Sequence, residues 1–283
     1  MIQIVECPRD AMQGLARFIP TIDKANYLQV LLNCNFSYLD FGSFVSERAV
    51  PQMRDTAEVL ELLDLSRTST RLLAIIANLR GAERACEFEQ IDTLGFPFSL
   101  SEIFQMRNTN KSQEEAFEQI CRIAEHTEQS DKKLVLYFSM GFGNPYGSPW
   151  NLDQIGYWID RFRSINVACF SLSDTMGNAT PERISEVFNY VFTHFSHYSF
   201  GAHLHTRPDT WRINLEAAYN AGCKRFDGAL MGFGGCPMAS DHLIGNLPTE
   251  KLISYLTERK APIEIDIHGF EVAYNKAKAL FGV

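Results

Sequence analysis

The stretch S-F-G-A-H-L-H, residues 199–205, decides how the rest of the chain reads. It begins with aromatic and small apolar residues and ends with imidazoles at i and i+2. In an extended strand alternate side chains share a face, so His203 and His205 would stand about 6–7 Å apart on one side. Working outward, seven more short apolar, β-rich runs appear at 2–7, 36–41, 71–77, 88–94, 133–140, 166–172 and 224–230. Between them, segments such as 23–34, 113–127, 153–164, 180–194 and 208–221 carry apolar residues at i, i+3 and i+4, the spacing of covering helices. Thr180-Pro181-Glu182 reads as an N-cap with proline at N1. Eight strand-like runs alternating with helices predict an α/β fold, a (β/α)8 TIM barrel. Residues 1–283 then form one catalytic domain, with 247–283 a C-terminal helical extension packed on the barrel.

Polar residues gather where these runs end, the end of a barrel at which the following loops build a site. Arg9 and Asp10 follow the first run, and Asp40 and Ser43 close the second. Tyr137 and Ser139 close the fifth, Asp174 and Thr175 the sixth, and the two histidines the seventh.

Composition narrows the classes. A formal charge of −8 with no Lys/Arg run offers no footprint for nucleic acid or an anionic membrane surface. No apolar stretch approaches the roughly 20 residues of a membrane span, and the N-terminus M-I-Q-I-V-E-C lacks the pattern of a signal or transit peptide. Seven scattered cysteines without C-x-x-C spacing suit a reducing cytoplasm. A small-molecule substrate is the expectation.

The histidine pair could ligate one ion, the ordinary alternative being strand-end histidines bonded to their neighbours. In a closed barrel the first, seventh and eighth strands adjoin, so Asp10 and Asn246 would add oxygen ligands to an N/O site. Such a site suits Mg²⁺ or Mn²⁺, with Zn²⁺ or Co²⁺ also able to bind. Arg9 offers a fixed positive fork for a developing enolate oxygen, or else a surface ion pair. Asp174, in S-L-S-D-T-M-G, reads as an acid/base or as the cap of the next helix. The segment G-F-G-G-C-P, 232–237, could fold the Cys236 thiol over a ligand, or be merely a flexible loop.

Taken together, these residues resemble the 3-hydroxy-3-methylglutaryl-CoA lyase family, within the wider group of metal-dependent barrel lyases and Claisen-type synthases. The resemblance runs over most of the chain: P-R-D-A-M-Q at 8–13, G-S-F-V-S at 42–46, V-P-Q-M at 50–53, S-E-I-F from 101, N-P-Y-G at 144–147, S-L-S-D-T-M-G at 171–177, H-L-H at 203–205, the G-G-C-P loop and G-N-L-P-T-E-K-L at 245–252. It implies cleavage of 3-hydroxy-3-methylglutaryl-CoA to acetyl-CoA and acetoacetate with Mg²⁺ or Mn²⁺, and a CoA-thioester partner bound across the barrel mouth. Asp10, His203, His205 and Asn246 look like the metal ligands. Arg9, Asp40, Asp174 and Cys236 look like the catalytic groups, and Arg9, Ser43, Ser101, Tyr137 and Thr175 like substrate contacts. A homodimer is compatible with this reading.

Three departures stand out. Asp40 occupies a position where the family has glutamate, and Thr206 one where it has an aspartate able to orient the histidines. V-E-C-P-R-D is one residue shorter than the family's spacing, so Glu6 receives no role. The alternatives are a related metal aldolase or Claisen condensing enzyme acting on another 3-hydroxy or 2-oxo acid, and a catalytically weakened ligand-binding homologue.

Overall fold

The computed structural model describes residues 1–235 and 244–282. Its eight strands are β1 (Gln3–Glu6), β2 (Tyr38–Ser43), β3 (Arg71–Ile75), β4 (Ile91–Ser99), β5 (Lys133–Ser139), β6 (Cys169–Asp174), β7 (Phe200–Leu204) and β8 (Arg225–Gly228). They close in sequence order into a barrel, and every neighbouring pair is parallel. Parallel strands covered on both faces read as near-continuous apolar runs rather than alternating ones, and this is why all eight were visible in the sequence.

The helices are α1 (Pro8–Gln13), α2 (Thr21–Leu32), α3 (Thr56–Glu61), α4 (Leu79–Cys86), α5 (Glu102–Thr109), α6 (Gln113–Gln129), α7 (Leu152–Arg161), α8 (Pro181–His194), α9 (Trp211–Asn220), α10 (Thr249–Glu258) and α11 (Ile267–Phe281). The expected Thr180 cap of α8 is present, its hydroxyl accepting from the Arg183 N–H. In the C-terminal tail, α10 completes the helical ring after β8, whereas α11 is additional. It packs edge-on against the first βα unit through Tyr27–Phe281 and Phe36–Phe270.

The largest departure from the sequence reading lies in β4, which runs to Ser99 through Gly95 and Pro97 instead of stopping near 94. Glycine and proline normally punctuate strands. Here a Cβ at Gly95 would stand 2.6 Å from Ile75 Cδ1 and 2.9 Å from Tyr137 Cε2, so only glycine leaves room for the inward side chains of β3 and β5.

Outside the sheet an aromatic layer of Phe98, Phe138, Trp158, Phe162 and Phe170 fills the space beneath α7. Full burial of such a side chain contributes about 1.5–3 kcal/mol. Inside the barrel the packing is different. Leu73, Ile75, Val135, Tyr137 and Cys169 form one small cluster and Val5, Cys7 and Tyr38 another, and Asp40, Ser171, Arg225 and Asp227 are buried as well. No described helix is long and apolar enough to cross a membrane.

Candidate active site

The strand order places β1, β7 and β8 side by side, and from their C-terminal ends rise Asp10, His203 and His205. Asp10 sits in α1, the turn of helix that Pro8 begins directly after β1. His203 lies in β7, and His205 just beyond it bridges to Asn246. One ligating atom from each of Asp10, His203 and His205 falls within 4.8 Å of the others.

Both imidazoles are held through Nδ1. His203 Nδ1 lies 3.2 Å from Asp227 Oδ2, and His205 Nδ1 lies 3.1 Å from the Thr175 carbonyl. Among the described residues nothing bonds Nε2 of either ring. Burial alone would lower both titrations. For His203 the hydrogen bond and charge of Asp227, aided by Asp10, outweigh burial and raise it. For His205 burial, reinforced by the neighbouring His203, pushes it down to about 4, so this ring is neutral at ordinary pH.

The Asp10 carboxylate accepts from the Asn246 amide nitrogen at 2.6 Å, from Gln13 Nε2 and from Arg9 Nη1 at 3.3 Å. Burial would raise it, but Arg9, the two histidines and Asn246 together hold it below the usual carboxylate range. Asn246 approaches Asp10 with its amide nitrogen, which also donates to the Phe233 carbonyl at 2.8 Å. Its amide must therefore turn over to present oxygen to an ion.

Arg9 is gripped from three sides. Nε and Nη2 donate to Asp40, Nη1 donates to Gln13 at 2.8 Å, and Asp10 completes the cage. Burial pushes the Asp40 carboxyl up to about 6 against the pull of Arg9.

A cavity of about 220 Å³ opens at this end of the barrel. Arg9, Asp10, Ser43, Tyr137, Ser139, Ser173, Thr175, His203 and His205 line it, facing Val45, Ala49, Val50 and Ala77 on the loops after β2 and β3 and Phe104 of α5. Of the residues singled out by sequence, Asp40, Ser101, Asp174 and Asn246 do not line it. Asp40 stands behind Arg9. The Ser101 hydroxyl caps α5 by accepting from the Phe104 N–H at 3.4 Å, so it faces the helix rather than the cavity. Asp174 does not cap α8, which is the work of Thr180. It holds the preceding turn, accepting from the N–H groups of Asn178 at 3.2 Å and Ala179 at 3.0 Å. Burial pushes its carboxyl up to about 6, the backbone donors opposing. Cys236 lies outside the described residues.

Three residues at the site escaped the sequence reading. Gln13 lies four positions after Arg9 on one helix, a spacing that puts the two on one face and was readable in principle. Asp227, a carboxylate inside the eighth apolar run, was also a visible anomaly. Ser173 gave no signal among the polar residues around it. Glu6 is buried in the barrel wall, accepting from the Leu230 N–H at 2.9 Å and the Thr249 hydroxyl at 2.5 Å.

Two histidines, a carboxylate and a caged arginine at the C-terminal ends of the strands make this a (β/α)8 barrel with a candidate N/O ligand set at the end where barrel enzymes carry their chemistry. The HMGL-like family model matches residues 2–275, so this chain belongs to the HMGL-like family and is a lyase. Hydroxymethylglutaryl-CoA lyase YngG of Bacillus subtilis is 29% identical over 89% of this chain and 83% of its own length. The cytoplasmic 3-hydroxy-3-methylglutaryl-CoA lyase of Rattus norvegicus is 30% identical over 94% and 77%. Among solved structures, an HMG-CoA lyase from Acinetobacter baumannii in complex with coenzyme A and 3-methylmalate superposes with a TM-score of 0.92 at 28% identity, covering 100% of this chain and 92% of that one.

Proposed function

We propose that this protein cleaves 3-hydroxy-3-methylglutaryl-CoA to acetyl-CoA and acetoacetate, using a divalent cation held by Asp10, His203, His205 and Asn246. The observation that carries the proposal is the convergence of Asp10, His203 and His205 within 4.8 Å, beside Arg9, in the one cavity they share. The donor set fits a hard or borderline cation: two imidazoles held through Nδ1, an ionised carboxylate and an amide that can turn. Mg²⁺ or Mn²⁺ is the preferred occupant. When bound, such an ion supplies Lewis acidity to a hydroxyl and a carbonyl oxygen of the substrate.

The chain's own residues supply the rest. Arg9, fixed by Asp40 and Gln13, presents a guanidinium whose position does not have to be organised during the reaction, as stabilisation of a developing enolate requires. Asp174 does not line the cavity but directly precedes Thr175, which does, and burial pushes its carboxyl up to about 6; the acid/base role is assigned to it by the resemblance to the family. Ser43, Tyr137 and Thr175 line the cavity where the acyl group would lie. Cys236, which follows β8 in the sequence, would supply a thiol. A CoA-thioester partner is supported by the coenzyme A bound to the Acinetobacter baumannii relative. The free state of the six described cysteines supports the cytoplasm as its location.

Purified protein with Mg²⁺ or Mn²⁺ should release acetoacetate and acetyl-CoA from 3-hydroxy-3-methylglutaryl-CoA. Failure to do so, together with cleavage of a free 4-hydroxy-2-oxo acid or condensation of acetyl-CoA with a 2-oxo acid, would replace this reading with that of an aldolase or a Claisen enzyme.

A further inference from the structure

Beneath the cavity a chain of charged side chains runs up the inner wall of the barrel. Arg225 and Asp227 alternate on β8 and so face the same side, and His203 neighbours Asp227 directly in the β7–β8 register. Asp227 Oδ2 lies 3.2 Å from His203 Nδ1 and 3.4 Å from the Ser171 hydroxyl, while Oδ1 lies 3.8 Å from Arg225 Nε. Asp227 is 1% exposed and Arg225 4%. Space for the arginine comes from Gly201 of β7, where a Cβ would stand 3.0 Å from Arg225 Cδ, and its guanidinium rests 4.6 Å from the Tyr38 ring centre.

As a stabilising device this arrangement is poor. Among the described residues Arg225 Nε and Nη2 have no hydrogen-bond partner, and neither has Asp227 Oδ1. Buried donors without partners destabilise a fold, and a buried ion pair is often no better than apolar residues of the same size. What the chain does accomplish is to occupy His203 Nδ1 with a carboxylate, which fixes both the tautomer and the plane of the ring. The position after the histidine pair contributes nothing of the kind. The buried Thr206 hydroxyl has no partner among the described residues, and its N–H donates to the Gly245 carbonyl at 2.9 Å.

We propose that Asp227, held in place by Arg225, is a positioning residue that sets His203 to ligate a divalent cation through Nε2. Strand β8 thereby supplies the orienting carboxylate that the residue after His205 lacks. The inference rests on the metal reading of the Asp10–His203–His205 site. Carboxylates in this position behind a ligating histidine commonly alter metal affinity by about 10–100-fold.

The test is Mn²⁺ binding to the metal-free full chain, followed by electron paramagnetic resonance titration, with thermal melting in chelator as the control for folding. Asp227→Asn should weaken Mn²⁺ binding about 10–100-fold while the metal-free protein still melts cooperatively. Because Asp227→Asn leaves Arg225 without its counter-charge, the double variant Asp227→Asn with Arg225→Met is measured as well, and it should show the same weakening. A folded variant of either kind that binds Mn²⁺ as tightly as the wild type overturns the inference. Absence of Mn²⁺ binding by the wild type would instead overturn the metal reading on which it rests.

Discussion

The Arg9 guanidinium closes on the Asp40 carboxylate, with Nη2 2.5 Å and Nε 3.1 Å from Oδ2. The Asp40 side chain is 1% exposed and that of Arg9 11%, so solvent does little to screen the pair. Removing one partner of a buried pair costs about 3–5 kcal/mol when the other is left alone; here Arg9 would keep only the longer contact with Asp10 at 3.3 Å, so that figure is the upper end. Asp40→Ala should lower stability by up to about that amount, measured by urea denaturation, and reduce turnover because Arg9 loses its anchor.

The length of this carboxylate also bears on the weakened-homologue alternative. Asp40 already meets Arg9 at hydrogen-bonding distance, so one more methylene, roughly 1.5 Å, would drive the guanidinium toward Asp10. Asp40→Glu should therefore lower kcat by about tenfold or more, since an ångström of misplacement can cost that much and beyond. A sharp rise in kcat for Asp40→Glu combined with Thr206→Asp would favour the weakened homologue.

His203→Ala should abolish both bound metal and activity, whereas Cys236→Ala should impair turnover with the metal retained. Elemental analysis of the purified variants measures occupancy directly. Equal metal content in His203→Ala and wild type would contradict the ligand assignment.

Asp174 holds a turn by accepting backbone N–H groups and is also proposed to exchange a proton. Asp174→Asn preserves shape but cannot titrate. A group that exchanges the proton should cost about 10²–10⁴ in kcat when removed, with a flattened limb in the pH–rate profile. A loss below tenfold accompanied only by a lower Tm would leave Asp174 the turn alone.

Glu6 gives a prediction about pH. Burial pushes its carboxyl up to about 8, from an ordinary value of 4.5, with Thr249 and Leu230 opposing. Between those two values the folded state binds a proton that the unfolded chain has lost, so the stability contributed by neutral Glu6 falls as pH rises from about 4.5 to 8. Glu6→Gln does not titrate. Its unfolding free energy relative to wild type, from urea denaturation at each pH, should increase from pH 5 to about pH 8 by an amount on the order of a few kcal/mol and level off above that. A constant difference across that range would show that Glu6 is already ionised in the fold.

Local pattern determined much of this protein. A parallel barrel strand is buried on both faces, so its apolar run stands out, and the polar residues that break each run mark the end where chemistry collects. Hence the eight strands and the pairing of His203 with His205 could be read from the chain, as could the presence of Arg9 and Asp10 beside them. Three-dimensional closure decided the rest. Asp227 lies 24 positions from His203 in the chain and Asp40 31 from Arg9, and no periodicity links residues that meet only because β8 pairs with β7 and β2 with β1. Ser101 and Asp174 had the chemistry of site residues, but their side chains are held by backbone N–H groups of their own turns, a competition settled by local hydrogen bonding. The sequence alone determined which strand ends carry reactive groups. Only the tertiary structure decided which of those groups face the cavity and which hold the others in position, because that depends on what stands behind each side chain across the barrel wall.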